Sequence, residues 1–173
     1  MLHPDRFLSD YGIRSVSKEH EANPFCFSIE DYRAQLKYEP AESSSPMYGG
    51  NSNWRGPIWF PICYLIIDAL QQYDAFFGDA FTVPFPSPSD NEATLWEVAS
   101  QLSQRMINIF RKNKEGKRPV NGGVAAFSDV PGWKECVPFY EYFHGDNGAG
   151  LGASHQTGWT ALVAKLIQQQ SAR

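Results

Sequence analysis

Three segments of this 173-residue chain gather side chains able to bind or activate a substrate. In Phe139-Tyr140-Glu141-Tyr142-Phe143-His144-Gly145-Asp146, a single glutamate stands among four aromatic residues. Apolar neighbours can raise a carboxyl pKa or hold the ionised group in place as a base; the same run also fits a surface glutamate on an aromatic strand. The second segment, Gly49-Gly50-Asn51-Ser52-Asn53-Trp54-Arg55-Gly56-Pro57-Ile58-Trp59, offers two indoles, whose faces suit the C–H face of a sugar ring, and an arginine with a planar fork of donors. A capped helix start with two core tryptophans would have much the same composition. The third, Gly148-Ala149-Gly150-Leu151-Gly152-Ala153-Ser154-His155-Gln156-Thr157-Gly158-Trp159, has the glycine content of a phosphate loop but neither a Gly-Lys-Ser/Thr ending nor the GxGxxG spacing after a strand. His155 and Gln156 beside Trp159 suit recognition of hydroxyl groups, and His155 alone equally fits a core histidine. His144 and Asp146 stand two apart like a ligand pair, but no third ligand follows at a usable spacing, so no metal site is expected.

The elements that must position these segments are mainly helical. A first long helix is expected from Pro57 or Pro61 to about Phe77, because proline is tolerated in the first turn and Gly78 ends the run. From Ile58 to Ile67 it is apolar on every face, which implies burial on all sides and, in this chain alone, an exposed apolar flank. A second helix over 91–112 aligns Leu95, Val98, Ala99, Leu102, Met106, Ile109 and Phe110 on one stripe, with Ser89-Asp90-Asn91-Glu92 as its capping box. A third, Thr157 to Gln170, places Trp159, Leu162, Val163, Leu166 and Ile167 on one side. Residues 1–24 read as an extended loop, 39–57 and 113–156 as long loops, and 81–90 as a proline-stiffened connection. Over 25–38 a short β-hairpin competes with one amphipathic helix, and loose alternation favours the hairpin.

Composition narrows the function classes. Hydrophobic residues make up 42% of the chain and aromatic residues 14%, enough to build a core and to leave rings for a ligand or a neighbouring domain. A net charge of −4, with the basic stretch Arg111–Arg118 reading as a solvated helix end, argues against nucleic acid. Pro4 and Asp5 interrupt the N-terminus before any signal-peptide core can form, and the longest apolar stretch is broken by Pro61 and Asp68, so no membrane association is expected. Cys26, Cys63 and Cys136 are odd in number and widely spaced, which fits a reducing compartment such as the cytoplasm.

Taken in order, Trp54-Arg55-Gly56-Pro57-Ile58-Trp59 before an apolar helix, then Tyr140-Glu141-x-Phe143, then Thr157-Gly158-Trp159-Thr160-x-Leu162-Val163, closely resemble the C-terminal part of glycoside hydrolase family 63. The opening Phe7-Leu8-Ser9-x-Tyr11-Gly12-x-Arg14-Ser15 resembles the same group, which holds processing α-glucosidases and bacterial relatives acting on glucosides and mannosylglycerate-type substrates. The resemblance implies part of an (α/α)6 toroid, a six-hairpin glycosidase fold, and an inverting mechanism that demands no cofactor and acts on an α-linked oligosaccharide or glucoside. It implies Glu141 as general base, with Trp54, Arg55, Trp59, Tyr142, His155, Gln156 and Trp159 around the sugar. Inversion needs two carboxyl groups roughly 6.5–9.5 Å apart, and the family's general acid is an aspartate in a motif upstream of anything present here. Asp68, Asp129 and Asp146 are not expected to replace it. Residues 1–173 are therefore expected to be the C-terminal portion of a catalytic domain, inactive alone, with the missing N-terminal part as partner. A carbohydrate- or partner-binding fragment without catalysis, or an inactive remnant, is the alternative; among enzymes a trehalase-like hydrolase is the runner-up.

Overall fold

The computed structural model describes residues 1–42, 44 and 54–171. Gly49 to Asn53, part of the tryptophan segment, lie outside the described residues. Two of the expected helices and the hairpin are present, while the segments read as loops hold short elements. β1 (Leu8–Ser9) and β2 (Gly12–Ile13) form an antiparallel pair, followed by a 3-10 turn at Lys18–Glu21. The extended loop expected over 1–24 is thus corrected: a two-residue strand is too short to leave an alternation pattern, yet it buries Leu8 and Ile13. β3 (Phe25–Ile29) and β4 (Tyr32–Leu36) make the hairpin expected over 25–38, with Phe25, Phe27, Ile29 and Tyr32 exposed.

α1 (Phe60–Phe77) starts with Pro61 in its first turn and stops at Gly78. It buries Phe60, Cys63 and Ile67 and leaves an apolar flank open, with Leu65 63% and Phe76 81% exposed. Burial on all sides does not occur, since among the described helices α2, α4 and α5 cover only part of its surface. β5 (Thr82–Pro84) pairs with β6 (Glu92–Thr94), which displaces the start of α2 (Leu95–Asn108) by about a turn from the expected position. The Ser89–Glu92 capping box is replaced by one residue pair further on: Thr94 Oγ1 accepts from the Glu97 amide at 3.2 Å, and Glu97 Oε2 accepts from the Thr94 amide at 2.8 Å. Buried Asp74 of α1 adds a cap from outside, its Oδ1 accepting from the Trp96 amide at 2.9 Å. The expected stripe of α2 is buried as read, with Ile109 and Phe110 continuing it past the helix end.

A short α3 (Ala126–Asp129) precedes β7 (Tyr142–Phe143) and β8 (Gly150–Leu151), both inside the expected loop. The third helix is broken at Ala161 into α4 (Thr157–Thr160) and α5 (Leu162–Ser171). The core is centred on a triangle of edge-on rings, Phe60, Phe110 and Phe143, with centroids 5.5–5.9 Å apart. Ile58 ties the halves together by bridging Arg14 on one side and Phe143 on the other, exchanging two backbone hydrogen bonds with Phe143 at 2.8 and 3.0 Å.

Candidate active site

The register around Ile58 builds the site. Ile58 opposes Phe143 in antiparallel sense and both point into the core, so their neighbours Trp59 and Tyr142 oppose each other on the other face. Their rings stack with centroids 4.8 Å apart. Trp54 stacks on Trp59 at 4.1 Å, 6° from parallel, and Trp159 meets Trp59 edge-on at 6.0 Å. Trp59 is therefore a buried centre that supports the wall, while Trp54, 42% exposed, presents a face to solvent.

Glu141 is placed at the edge of this wall by three attachments. Its carbonyl accepts from the Trp159 indole N–H at 2.9 Å, and the preceding Tyr140 carbonyl accepts from Thr160 Oγ1 at 2.6 Å, which straps α4 onto the strand. Because Tyr142 pairs with Leu151, Glu141 lies opposite Gly152. Gly152 has φ +70°, and a Cβ there would fall 2.6 Å from the Tyr142 ring and 2.7 Å from Glu141 Oε2, so only glycine leaves room for the carboxylate beside the ring. Glu141 Oε2 accepts from the Ala153 amide at 3.2 Å; its other oxygen has no hydrogen-bond partner among the described residues. One oxygen fixes the group and the other is available to a water or hydroxyl.

Of the other residues proposed from sequence, Arg55 is only 2% exposed and pairs with Glu39 at 2.6 Å, so its guanidinium joins the loop from Glu39 to the tryptophan segment from within. His155 is exposed, its Nδ1 2.7 Å from the Ser154 carbonyl, and Gln156 donates its backbone N–H to the Phe139 carbonyl at 2.7 Å. The structure thus gathers Glu141, Tyr142, Trp54, Trp59 and Trp159, with His155 and Gln156 in the segment that leads into α4.

Sequence reasoning did not find the polar cluster next to the wall. Arg14, 7% exposed, donates to the carbonyls of Pro4, Arg6 and Leu8, to the Tyr38 hydroxyl at 3.1 Å and to Asp146 Oδ1 at 3.1 Å. The same oxygen accepts from Lys18 Nζ and the Tyr38 hydroxyl, each at 3.0 Å. Burial alone would raise the Asp146 pKa, but the hydrogen bonds from Lys18 and Tyr38 and the charges of Lys18 and Arg14 outweigh it, so the carboxyl sits below its ordinary range. It is no proton donor at neutral pH. Burial lowers the His144 pKa and raises that of Tyr38. Glu42 was missed too: its Oε1 accepts from the Tyr142 hydroxyl at 2.8 Å. Asp146 stood out in the sequence only beside His144, and Arg14 only within the opening motif; nothing in the sequence pairs the two or marks Glu42. Among the described residues, no group of three His, Cys, Asp or Glu side chains could hold a metal ion, and no helix is long and apolar enough to cross a membrane.

The carboxylate of Glu141 is thus fixed at the edge of a stacked aromatic wall. Residues 1–160 match the family model described as the mannosylglycerate hydrolase MGH1-like glycoside hydrolase domain, and the chain belongs to that family. It is 50% identical to Saccharomyces cerevisiae "Uncharacterized protein YMR196W" over 96% of this chain and 16% of that protein. It is 27% identical to the mannosyl-oligosaccharide glucosidase of the same yeast, over 96% of this chain and 14% of the relative. A probable mannosyl-oligosaccharide glucosidase of Schizosaccharomyces pombe matches at 25% over 69% of the chain and 11% of its own length. The kinship with family 63 glucosidases implied by the tryptophan and Gly-Trp-Thr motifs is therefore shown, and the chain spans a sixth or less of the length of these relatives.

Proposed function

We propose that this chain supplies the general base and one wall of the sugar subsite of an inverting hydrolase acting on an α-linked glucoside or oligosaccharide. The observation that carries the reading is Glu141, held by one carboxylate oxygen beside the Trp54–Trp59–Tyr142 stack with its other oxygen open among the described residues. In this reading Glu141 takes a proton from a water that attacks the anomeric carbon, and the wall holds the ring by its C–H face. The general acid comes from sequence beyond these residues, as does the rest of an (α/α)6 toroid in which α1 and α2 form one hairpin. Asp146 is unsuited to the acid role because three donors keep it ionised.

The test is Glu141→Gln in the protein that carries the complete catalytic domain, assayed on α-linked glucose disaccharides. Turnover is expected to fall about 10²–10⁴-fold with sugar affinity retained, and proton NMR of the wild-type reaction should show the β anomer first. Normal turnover by the variant, or the α anomer as first product, would overturn the proposal.

A further inference from the structure

The fold brings Glu42 to the aromatic wall on a backbone pinned at four points. Tyr38 is buried and bonded to Asp146, Glu39 pairs with Arg55, the Pro40 carbonyl accepts from the Gly145 amide at 2.8 Å, and Glu42 itself accepts from Tyr142. A carboxylate can accept about four hydrogen bonds, and Tyr142 is the one hydrogen-bond partner of Glu42 among the described residues, although the residue is exposed. The two carboxylates therefore flank one ring: Glu42 at the Tyr142 hydroxyl, Glu141 beside its Cε1 edge across Gly152.

We infer that Glu42 is a specificity-determining residue of this subsite, its acceptor positions beyond the Tyr142 bond taking hydrogen bonds from hydroxyl groups of a sugar laid on the wall; the inference rests on the sugar-site reading above. An exposed carboxylate with acceptor capacity beyond its one partner among the described residues, tied to Tyr142 of a stacked aromatic surface, meets both needs of pyranose recognition: an apolar face for C–H groups and a charged acceptor for hydroxyls. Glu42 takes no part in proton transfer, so its removal should alter which hydroxyls are read rather than the reaction.

The experiment is calorimetric titration of the protein that carries the complete catalytic domain with methyl α-glucopyranoside and its monodeoxy derivatives, using wild type, Glu42→Ala and Glu42→Gln. Wild type should bind one deoxy derivative about tenfold more weakly than the parent sugar, as loss of a hydrogen bond to a charged group implies. Glu42→Ala should lose about the same factor on the parent sugar, and its preference for that one hydroxyl should vanish. Glu42→Gln, which keeps an acceptor for Tyr142, should fall between the two, and unchanged melting temperatures would confirm that both variants fold. If Glu42→Ala retains every hydroxyl preference of wild type, the inference is overturned and the proposed function stands. If wild type binds none of these sugars, both are overturned.

Discussion

Asp146 collects Arg14, Lys18 and Tyr38 on one oxygen and so joins the N-terminal strands to the turn that follows β7. Asp146→Asn would leave the buried Arg14 guanidinium without its counter-charge. Arg14 keeps its three carbonyl partners, so the expected loss is about 2 kcal/mol, below the full cost of breaking a buried pair, and denaturant melts measure it. The pH dependence has a definite sign. His144 and Asp146 both have native pKa values below their unfolded ones, so both favour the deprotonated form in the folded state. Their contributions are complete above the unfolded values and are lost as pH falls through the native ones. Stability should decline below about pH 6.5 through His144 and again below about pH 4 through Asp146. Melting temperatures across pH 8 to 3 would show this; the lower step should be missing in Asp146→Asn, and an unchanged step would contradict the assignment.

At the scale of the element, the decisive feature is the register that sets Glu141 against Gly152 and Tyr142 against Trp59. Gly152→Ala forces a Cβ at φ +70° into both the Tyr142 ring and the Glu141 carboxylate. The backbone strain costs about 1 kcal/mol, but the carboxylate must also move, so sugar turnover in the complete enzyme should fall at least tenfold while a melting scan shifts by only a few degrees. Equal, small effects on both would mean that Glu141 is not held by this contact. These pairings explain what the sequence made legible. Long periodic segments such as the α2 stripe were readable because one face repeats over several turns, and Glu141 stood out because aromatic neighbours surround it. The two-residue strands were not readable, because two residues leave no alternation pattern, and Ile58 meets Phe143 only through a long-range bridge. In sequence Arg55 reads as a donor to the sugar, but its Glu39 partner sits across the loop and the guanidinium is buried. The start of α2 was misread because Glu92–Thr94 satisfy their backbone groups with β5, a pairing that local capping chemistry does not reveal.

At the scale of the whole molecule, the exposed aromatic residues include those of the site, those of the β3–β4 hairpin and those on the open side of α1. Leu65 and the cluster of Tyr73, Phe76, Phe77 and Phe81, with adjacent centroids 4.9–6.1 Å apart, are exposed, whereas Ile67 on the same helix is 1% exposed. If the proposed toroid continues beyond these residues, this flank is where another helical hairpin packs, and its exposed side chains contribute to that contact rather than to the stability of this chain. The two faces of α1 should therefore respond oppositely. Ile67→Ala is expected to cost about 2–4 kcal/mol in the chain, as removal of core methyl groups does. Leu65→Gln with Phe76→Ser should change its stability by no more than about 0.5 kcal/mol while reducing the binding of an apolar dye. In the longer enzyme the same double variant should destabilise markedly, because there it would remove a buried contact. Equal tolerance in both settings would show that nothing packs on α1 and would remove the support its open flank gives to the toroid.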